Sequence, residues 1–402
     1  MVWGVLQLGE NLARIRTAQG LTQEDLAHAS GVSVDTISRL ERGTHATARR
    51  STLAALSHAL GIDPARLLGL HPPEQDTTGA EQLRRTVRAL DLPDLVEPVE
   101  VLPLSELHEA ASTAWSDYLA GRHAELLAGL PALMMDTRRA AQTLIEDHAA
   151  EAAGLLATAY RLAAGLSGRL GLVDLAAHAA HRALDTARYT TRPELDEAAA
   201  LRYLAWVLIR QGDLAEAERI AVRAAERLDG GLLGRPTPDR IGVFGSLLFN
   251  AASAAARQGA PSRADDLLQA ASAAAARSGV DRVDETGVFG PRVAAIQAVD
   301  QAMRTGQPDR AVQLAAGVPQ ARGVVPAFWE AGHQLHLAAS YADLERWGDV
   351  IEHLEAARDL APQWSRVQPL AHTVLAQLVE RRGRRSERIS ALAAHYGALP
   401  GS

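Results

Sequence analysis

Residues 8–43 read LGENLARIRTAQGLTQEDLAHASGVSVDTISRLERG, and their punctuation decides how the chain begins to fold. Leu8, Leu12 and Ile15 recur at i, i+4 and i+7, which puts them on one face of a helix. Gly20 stops that helix. Thr22 stands at an N-cap, and Asp25 three positions later completes a capping box with a shorter acid than the usual Glu. A second helix then runs to about Ser30 with Leu26 and Ala27 inward. Gly31 takes the left-handed turn that a Cβ would strain. Ser33 caps a third helix whose inward residues are Ile37 and Leu40 and whose outward residues are Val34, Asp35, Ser38, Arg39 and Arg42; Gly43 ends it. Two helices joined by a tight Gly-centred turn form the unit that presents its second helix to a DNA major groove.

Further marks follow at Leu53, Leu56 and Ala59-Leu60-Gly61, and residues 8–70 as a whole read as five short helices. Together with Leu21-Thr22-Gln23, Leu26-Ala27, Gly31-Val32-Ser33 and Ile37-Ser38-Arg39-Leu40-Glu41, this resembles the Xre/Cro-type helix-turn-helix family, over about a sixth of the chain. The resemblance implies a lambda-repressor-like DNA-binding domain. It implies that Gln23 meets phosphate and backs the recognition helix, and that Ser33, Val34, Asp35, Thr36 and Arg39 face base edges, with Ser38 beside them. Arg39 has the fork to bond guanine O6 and N7, and Asp35 would accept from a cytosine amino group while repelling phosphate. Arg14, Arg42, Arg49 and Arg50 are the expected phosphate contacts.

Composition narrows the alternatives. The 402 residues carry no cysteine, which excludes disulfides, thiolate metal sites and cysteine nucleophiles. All 41 basic residues are arginine, so there is no Walker lysine and no Schiff-base lysine. The absence of lysine and the abundance of alanine resemble the codon bias of GC-rich actinobacteria. No 18-residue apolar run and no basic-then-apolar leader occurs, so neither a membrane span nor a signal peptide is expected and the cytoplasm is the expected location. Of the net charge of −7, residues 1–70 contribute +1 and the remainder −8, so the acidic excess lies outside the DNA-binding segment.

Residues 71–105 hold Pro72, Pro73, Pro93, Pro98 and Pro103, a density that prevents a long helix. This segment reads as a linker with at most a short helix across Ala80 to Leu90. Beyond it the chain is alanine-rich with helical periodicity, and strand signals are almost absent. A tripeptide recurs: Arg169-Leu-Gly171, Arg210-Gln-Gly212, Arg257-Gln-Gly259 and Arg304-Thr-Gly306, spaced 41, 47 and 47 residues apart. Ala176, Ala217, Ala264 and Ala311 follow five residues after each glycine. Small residues at fixed offsets on either side of a glycine describe a helix, a tight turn and an antiparallel helix. A further unit fits around Tyr341, with Glu345 in place of the turn glycine, and a degenerate first unit fits Leu107 to Leu133 with Trp115, Tyr118 and Gly121. Two helices at about 365–381 and 385–397 are expected to cap the array.

The spacing resembles tetratricopeptide repeats with lengthened helices or loops, over residues 106–398. The expected fold is therefore all-α: the N-terminal domain followed by a right-handed tetratricopeptide-like solenoid. The repeat phase puts Arg202, Tyr203, Trp206, Phe249, Asn250, Ser253, Ile296, Gln297, Asp300 and His336 on or near the concave side of the first helices, where stacked repeats bind partners. The arginine at each turn complements the C-terminal end of its helix, or forms a ladder for an acidic ligand. This domain order resembles peptide-sensing regulators of Gram-positive bacteria and actinobacterial regulators of development. In the peptide sensors, groove asparagines clamp the peptide backbone; here only Asn11 and Asn250 exist.

No HExxH, GxSxG, P-loop or GxGxxG stands in a strand-to-helix context, and the His178–His181 and His333–His336 pairs are chance products of 14 histidines in a helical chain. The expectation is a homodimeric regulator that binds double-stranded DNA, uses no metal or cofactor, and takes a peptide or small-molecule effector in its repeat domain. An adaptor that binds a partner protein through the repeats, and an unrecognised helical hydrolase or metal enzyme, are the alternatives.

Overall fold

A computed structural model describes residues 7–43, 48, 50–60, 62, 67, 77–89, 101–229, 237–284, 287–383 and 386–396. The chain divides into two compact units, one of residues 1–74, 306–313 and 330–402, the other of residues 75–305 and 314–329.

In the first unit, four helices lie near the N-terminus: α1 (Gln7–Ala18), α2 (Gln23–Ser30), α3 (Val34–Glu41) and α4 (Arg50–Ala59). Leu8, Leu12, Ile15, Leu26, Ile37, Leu40, Leu53 and Leu56 form their common core. Each contributes about 1.5–3 kcal/mol by leaving water. The expected fifth helix falls mostly outside the described residues, although Leu67 is buried in the same core.

The second unit opens with α5 (Thr77–Arg88) and continues with α6 (Leu104–Ala120), α7 (His123–Thr143), α8 (Glu146–Arg169), α9 (Val173–Ala187), α10 (Pro193–Gln211), α11 (Leu214–Asp229), α12 (Pro238–Arg257) and α13 (Pro261–Ser278). Sequence neighbours pack pairwise, and α6, α8, α10 and α12 also pack in succession. The turns are as the tripeptides require: Gly171, Gly212, Gly259 and Gly306 have φ of 76°, 88°, 78° and 72°, and Glu345 takes φ 57° where glycine is missing.

Two features depart from the sequence reading. Helix α5 is no loose connector. Its Leu83 and Val87 are fully buried among α6–α10 residues, and the Thr86 carbonyl accepts a 2.9 Å bond from buried Arg138. Part of the stretch read as a linker is thus packed into the repeats, because its apolar residues sit at helical spacing between the prolines. The second departure is an antiparallel hairpin, β1 (Arg282–Asp284) with β2 (Gly287–Phe289), in register Arg282↔Phe289. It accounts for part of the extra length between repeats. Phe289 enters the α12 core against Gly245, where a Cβ would overlap its ring.

After the hairpin come α14 (Pro291–Arg304), α15 (Pro308–Ala316) and α16 (Ala327–Asp343). Asp281, 3% exposed, fastens this region. Its carboxylate accepts from the Arg292 amide at 2.9 Å and the Arg322 amide at 3.1 Å. The remaining helices, α17 (Trp347–Leu360), α18 (Pro362–Arg366), α19 (Pro369–Arg382) and α20 (Glu387–Tyr396), belong to the first unit. There the buried Tyr396 hydroxyl donates to the Leu354 carbonyl. No helix among the described residues is long and apolar enough to cross a membrane.

Candidate nucleic-acid interface

The turn between α2 and α3 is built by local bonds. The Thr22 hydroxyl accepts from the Asp25 amide at 3.0 Å, and the Asp25 carboxylate accepts from the Thr22 amide at 2.9 Å, so the capping box is complete. These bonds hold the Asp25 carboxyl below the usual carboxylate range. Gly31, at φ 67°, closes α2 with its amide on the Ala27 carbonyl. Ser33 then caps α3, accepting from the Thr36 amide at 3.2 Å. A cap of this kind is worth about 1 kcal/mol.

Helix α3 is divided lengthwise. Ile37 and Leu40 are buried, while Ser33, Val34, Asp35, Arg39 and Arg42 are exposed and Thr36 and Ser38 are half-buried. Arg39 is already engaged within the helix: its Nη2 lies 2.9 Å from Asp35. This i, i+4 pair holds the guanidinium extended along the exposed face, and a base or phosphate would compete with Asp35 for it. Arg42 donates to the Ser38 carbonyl at 3.1 Å, and Arg14 to Asn11 at 3.3 Å. Arg49 and the Arg50 side chain lie outside the described residues.

What fixes the orientation of α3 was not read from the sequence. Glu41, at its end, receives Arg16 of α1 through both carboxylate oxygens, at 2.7 and 2.9 Å, and the Gln23 amide of α2 at 2.6 Å. Arg16 also donates to the Leu21 carbonyl at 2.7 Å. The side chains of Arg16 and Glu41 are only 15% and 7% exposed. Hydrogen bonding to Glu41 lifts the Arg16 guanidinium above its ordinary range. Three helices thus meet at one carboxylate, with Gln23 tying the start of α2 to the end of α3. At Gly9 the backbones of α1 and α3 approach so closely that a Cβ would overlap the Leu40 carbonyl oxygen. The signal for both was an Arg, a Gln and a Glu at the ends of three helices, legible only once the crossing of α1 over α3 is known.

The residues expected to meet an effector separate into different surroundings. Phe249, read as facing a groove, is a core residue: it is 7% exposed and its ring lies 5.5 Å from that of Phe289. The unforeseen hairpin is the reason. Ile296 is likewise buried. Trp206 lies against Gly168 of α8, where a Cβ would overlap its ring, with Arg210 4.9 Å from the ring centroid. Asn250 donates to the Arg202 carbonyl at 2.8 Å. Asp300 pairs with Arg304 at 2.7 Å, and Ser253 and Gln297 are half-buried. His336 belongs to the first unit, the others to the second. Arg202 and Tyr203 are brought together, the guanidinium 4.1 Å from the ring centroid.

The turn arginines do not form a uniform ladder. Arg169 and Arg257 each reach the last carbonyls of the preceding repeat's first helix, at Tyr118 and Ile209, both at 3.5 Å. That is charge placed at a helix C-terminus, one repeat removed from the expected position. Among the described residues, no three His, Cys, Asp or Glu side chains gather in a metal-binding group.

Known proteins match the N-terminal helices most directly. The family model described as "Helix-turn-helix" matches residues 12–67. A transcriptional regulator of that type from Sinorhizobium fredii, y4dJ, is 42% identical over 65 residues, which span 15% of this chain and 78% of the relative. Two solved structures are similar at 12% identity. Bacillus thuringiensis PlcR, in complex with the peptide PapR7 and DNA, aligns over 67% of this chain and 94% of its own at a TM-score of 0.31. ComR from Streptococcus suis aligns over 90% and 96% at a TM-score of 0.23. From the capped turn, the buried face of α3 and the extent of the y4dJ match, the chain belongs to the helix-turn-helix family of transcriptional regulators.

Proposed function

We propose that this regulator reads double-stranded DNA sequence-specifically with α3, and that its repeat helices pair two copies and receive an effector. The observation that carries the DNA reading is the division of α3. Ser33, Val34, Asp35, Thr36, Ser38 and Arg39 lie clear of the buried Ile37–Leu40 face, and the helix is locked from behind by Glu41. Arg39 forms the bidentate base contact and Arg42 a phosphate contact, with Arg49 and Arg50 further along the backbone. Gln23 holds the end of α3 against α2.

With a net charge of +1 over residues 1–70, one copy neutralises few phosphates, and counterion release is correspondingly weak. Two copies double the contact set and place half-sites one or more helical turns apart. An effector that binds two arrangements of the repeats unequally then changes DNA affinity, since only differential affinity shifts such an equilibrium. The protein works in the cytoplasm and catalyses no reaction.

The test is fluorescence anisotropy of the full chain on DNA from upstream of its own gene, beside unrelated DNA and across a salt series. If that DNA shows no preference, a genome-wide selection supplies the sites. Arg39→Ala should weaken binding to the preferred site by about 1–3 kcal/mol and relax one base position. Equal binding of wild type and variant to all sequences, including selected ones, rejects the reading and favours a protein-binding adaptor.

A further inference from the structure

Arg169, the last residue of α8, has both faces of its guanidinium covered. Its Cζ lies 4.1 Å from the ring centroid of Tyr118 and 4.3 Å from that of Phe328. Its hydrogen bond to the Tyr118 carbonyl is long, 3.5 Å. A guanidinium stacked on both faces is completed only in its own plane, by acceptors at its edge. Arg202 of α10 lies over Tyr203, and its Nε is buried without a hydrogen-bond partner among the described residues.

The two sites are one neighbourhood. Tyr118 and Tyr203 lie in the same buried core, and the charges of both guanidinium groups reach the Tyr118 hydroxyl. Burial pushes the Tyr118 hydroxyl up to about 12, so it keeps its proton and remains a donor. Among the described residues neither arginine has a carboxylate partner. Carboxylates are not scarce here, since residues 71–402 carry the −8 excess. Neighbouring arginines take them: Arg161 with Asp196, Arg227 with Glu197, Arg240 with Glu194 and Arg304 with Asp300. Two half-buried guanidinium groups that have no anion among the described residues cost free energy that a bound anion would restore.

We propose that Arg169 and Arg202, with the hydroxyls of Tyr118 and Tyr203, bind the oxyanion of a small-molecule effector, a carboxylate or a phosphate group. This rests on the effector reading of the repeat domain and narrows it to an anionic ligand. The stacked rings fix Arg169 so that its edge donors are already oriented, and the phenolic hydroxyls supply further donors.

The full-length protein is tested by thermal shift at constant ionic strength held with chloride. Inorganic phosphate is one probe, and benzoate, an aromatic carboxylate, is the other. A saturable rise in Tm with either probe is expected, and the arm that responds names the anion. Arg202→Met should weaken the response about tenfold or more, the loss of a hydrogen bond to a charged group. The exposed Arg223→Gln should not change it. Without anion, Arg202→Met should leave the Tm unchanged or raise it. No saturable rise with either probe, an equal response in Arg202→Met, or a Tm lowered by several degrees in the anion-free variant overturns the proposal. DNA anisotropy, measured without either probe, separates the two readings: intact DNA binding with no anion response rejects only this site.

Discussion

The carboxylate of Glu41 offers the sharpest test of how α3 is held. It accepts two bonds from Arg16 and one from Gln23, within a pair only 15% and 7% exposed. Hydrogen bonds to charged groups are worth about 1.5–3 kcal/mol each, but desolvation of the pair cancels part of that. A net coupling of about 2 kcal/mol between Arg16 and Glu41 follows. The perturbation is a double-mutant cycle of Arg16→Met and Glu41→Gln in the full chain. Hydrogen exchange of the α1 and α3 amides is the assay, because it reads local opening rather than the repeats. Each single variant should lose about 2 kcal/mol of protection, roughly 30-fold in exchange rate. The double variant should lose little more than either single, since the second removal deletes a group already left alone. Losses that add to within about 0.5 kcal/mol would refute a shared network.

Three further outcomes are expected. Gly9→Ala places a methyl on the Leu40 carbonyl, so α1 and α3 must separate. Exchange protection in both helices should fall by about 1–3 kcal/mol, and unchanged protection would contradict the close approach. Asp196→Ala leaves the Arg161 guanidinium, 1% exposed, without its partner 3.1 Å away. Urea denaturation should show a loss of about 3–5 kcal/mol, and a loss under 1 kcal/mol would mean Thr158 alone satisfies it. His123 is pushed down to about 4 by burial and by Arg169, so the folded state resists protonation that the unfolded chain accepts. Stability should be full above pH 6.5 and lost as pH falls towards 4, by up to about 3 kcal/mol for this residue. His123→Leu should flatten that share of the urea midpoint's pH slope, and an unaltered slope would reassign it to other buried histidines such as His372.

The sequence was most informative where structure is set by adjacent residues. The Thr22–Asp25 box, the Gly31 turn and the Ser33 cap require only neighbours, and each forms as read. The same holds for the turns at Gly171, Gly212 and Gly259, and for Glu345, which accepts a strained φ because the turn geometry demands it. Legibility failed where partners come from afar. Arg16, Gln23 and Glu41 are 25 and 18 residues apart, and nothing local marks their meeting. The hairpin at 282–289 is too short for a strand pattern, yet it moved Phe249 from a supposed groove into the core. A short helix across Ala80 to Leu90 is legible between the prolines, but not that Leu83 and Val87 pack it into the repeats. The arginines at the turns stand out by their repetition, but repetition does not distinguish Arg169, stacked between rings, from Arg304, which takes an aspartate.

Gly165 and Gly168 give α8 a bare strip, crossed by Tyr118 from α6 on one side and Trp206 from α10 on the other. Tyr118 and Tyr203 belong to one buried core, so the first helices of alternate repeats both depend on the one between them. A repeat array is ordinarily treated as a chain of nearest-neighbour couplings that frays from its ends, one unit at a time. Here α8 is gripped from both sides by α6 and α10, and removing it forfeits the contacts of both. This stretch should melt as a single block, with no stable species in which one of the three helices has peeled away.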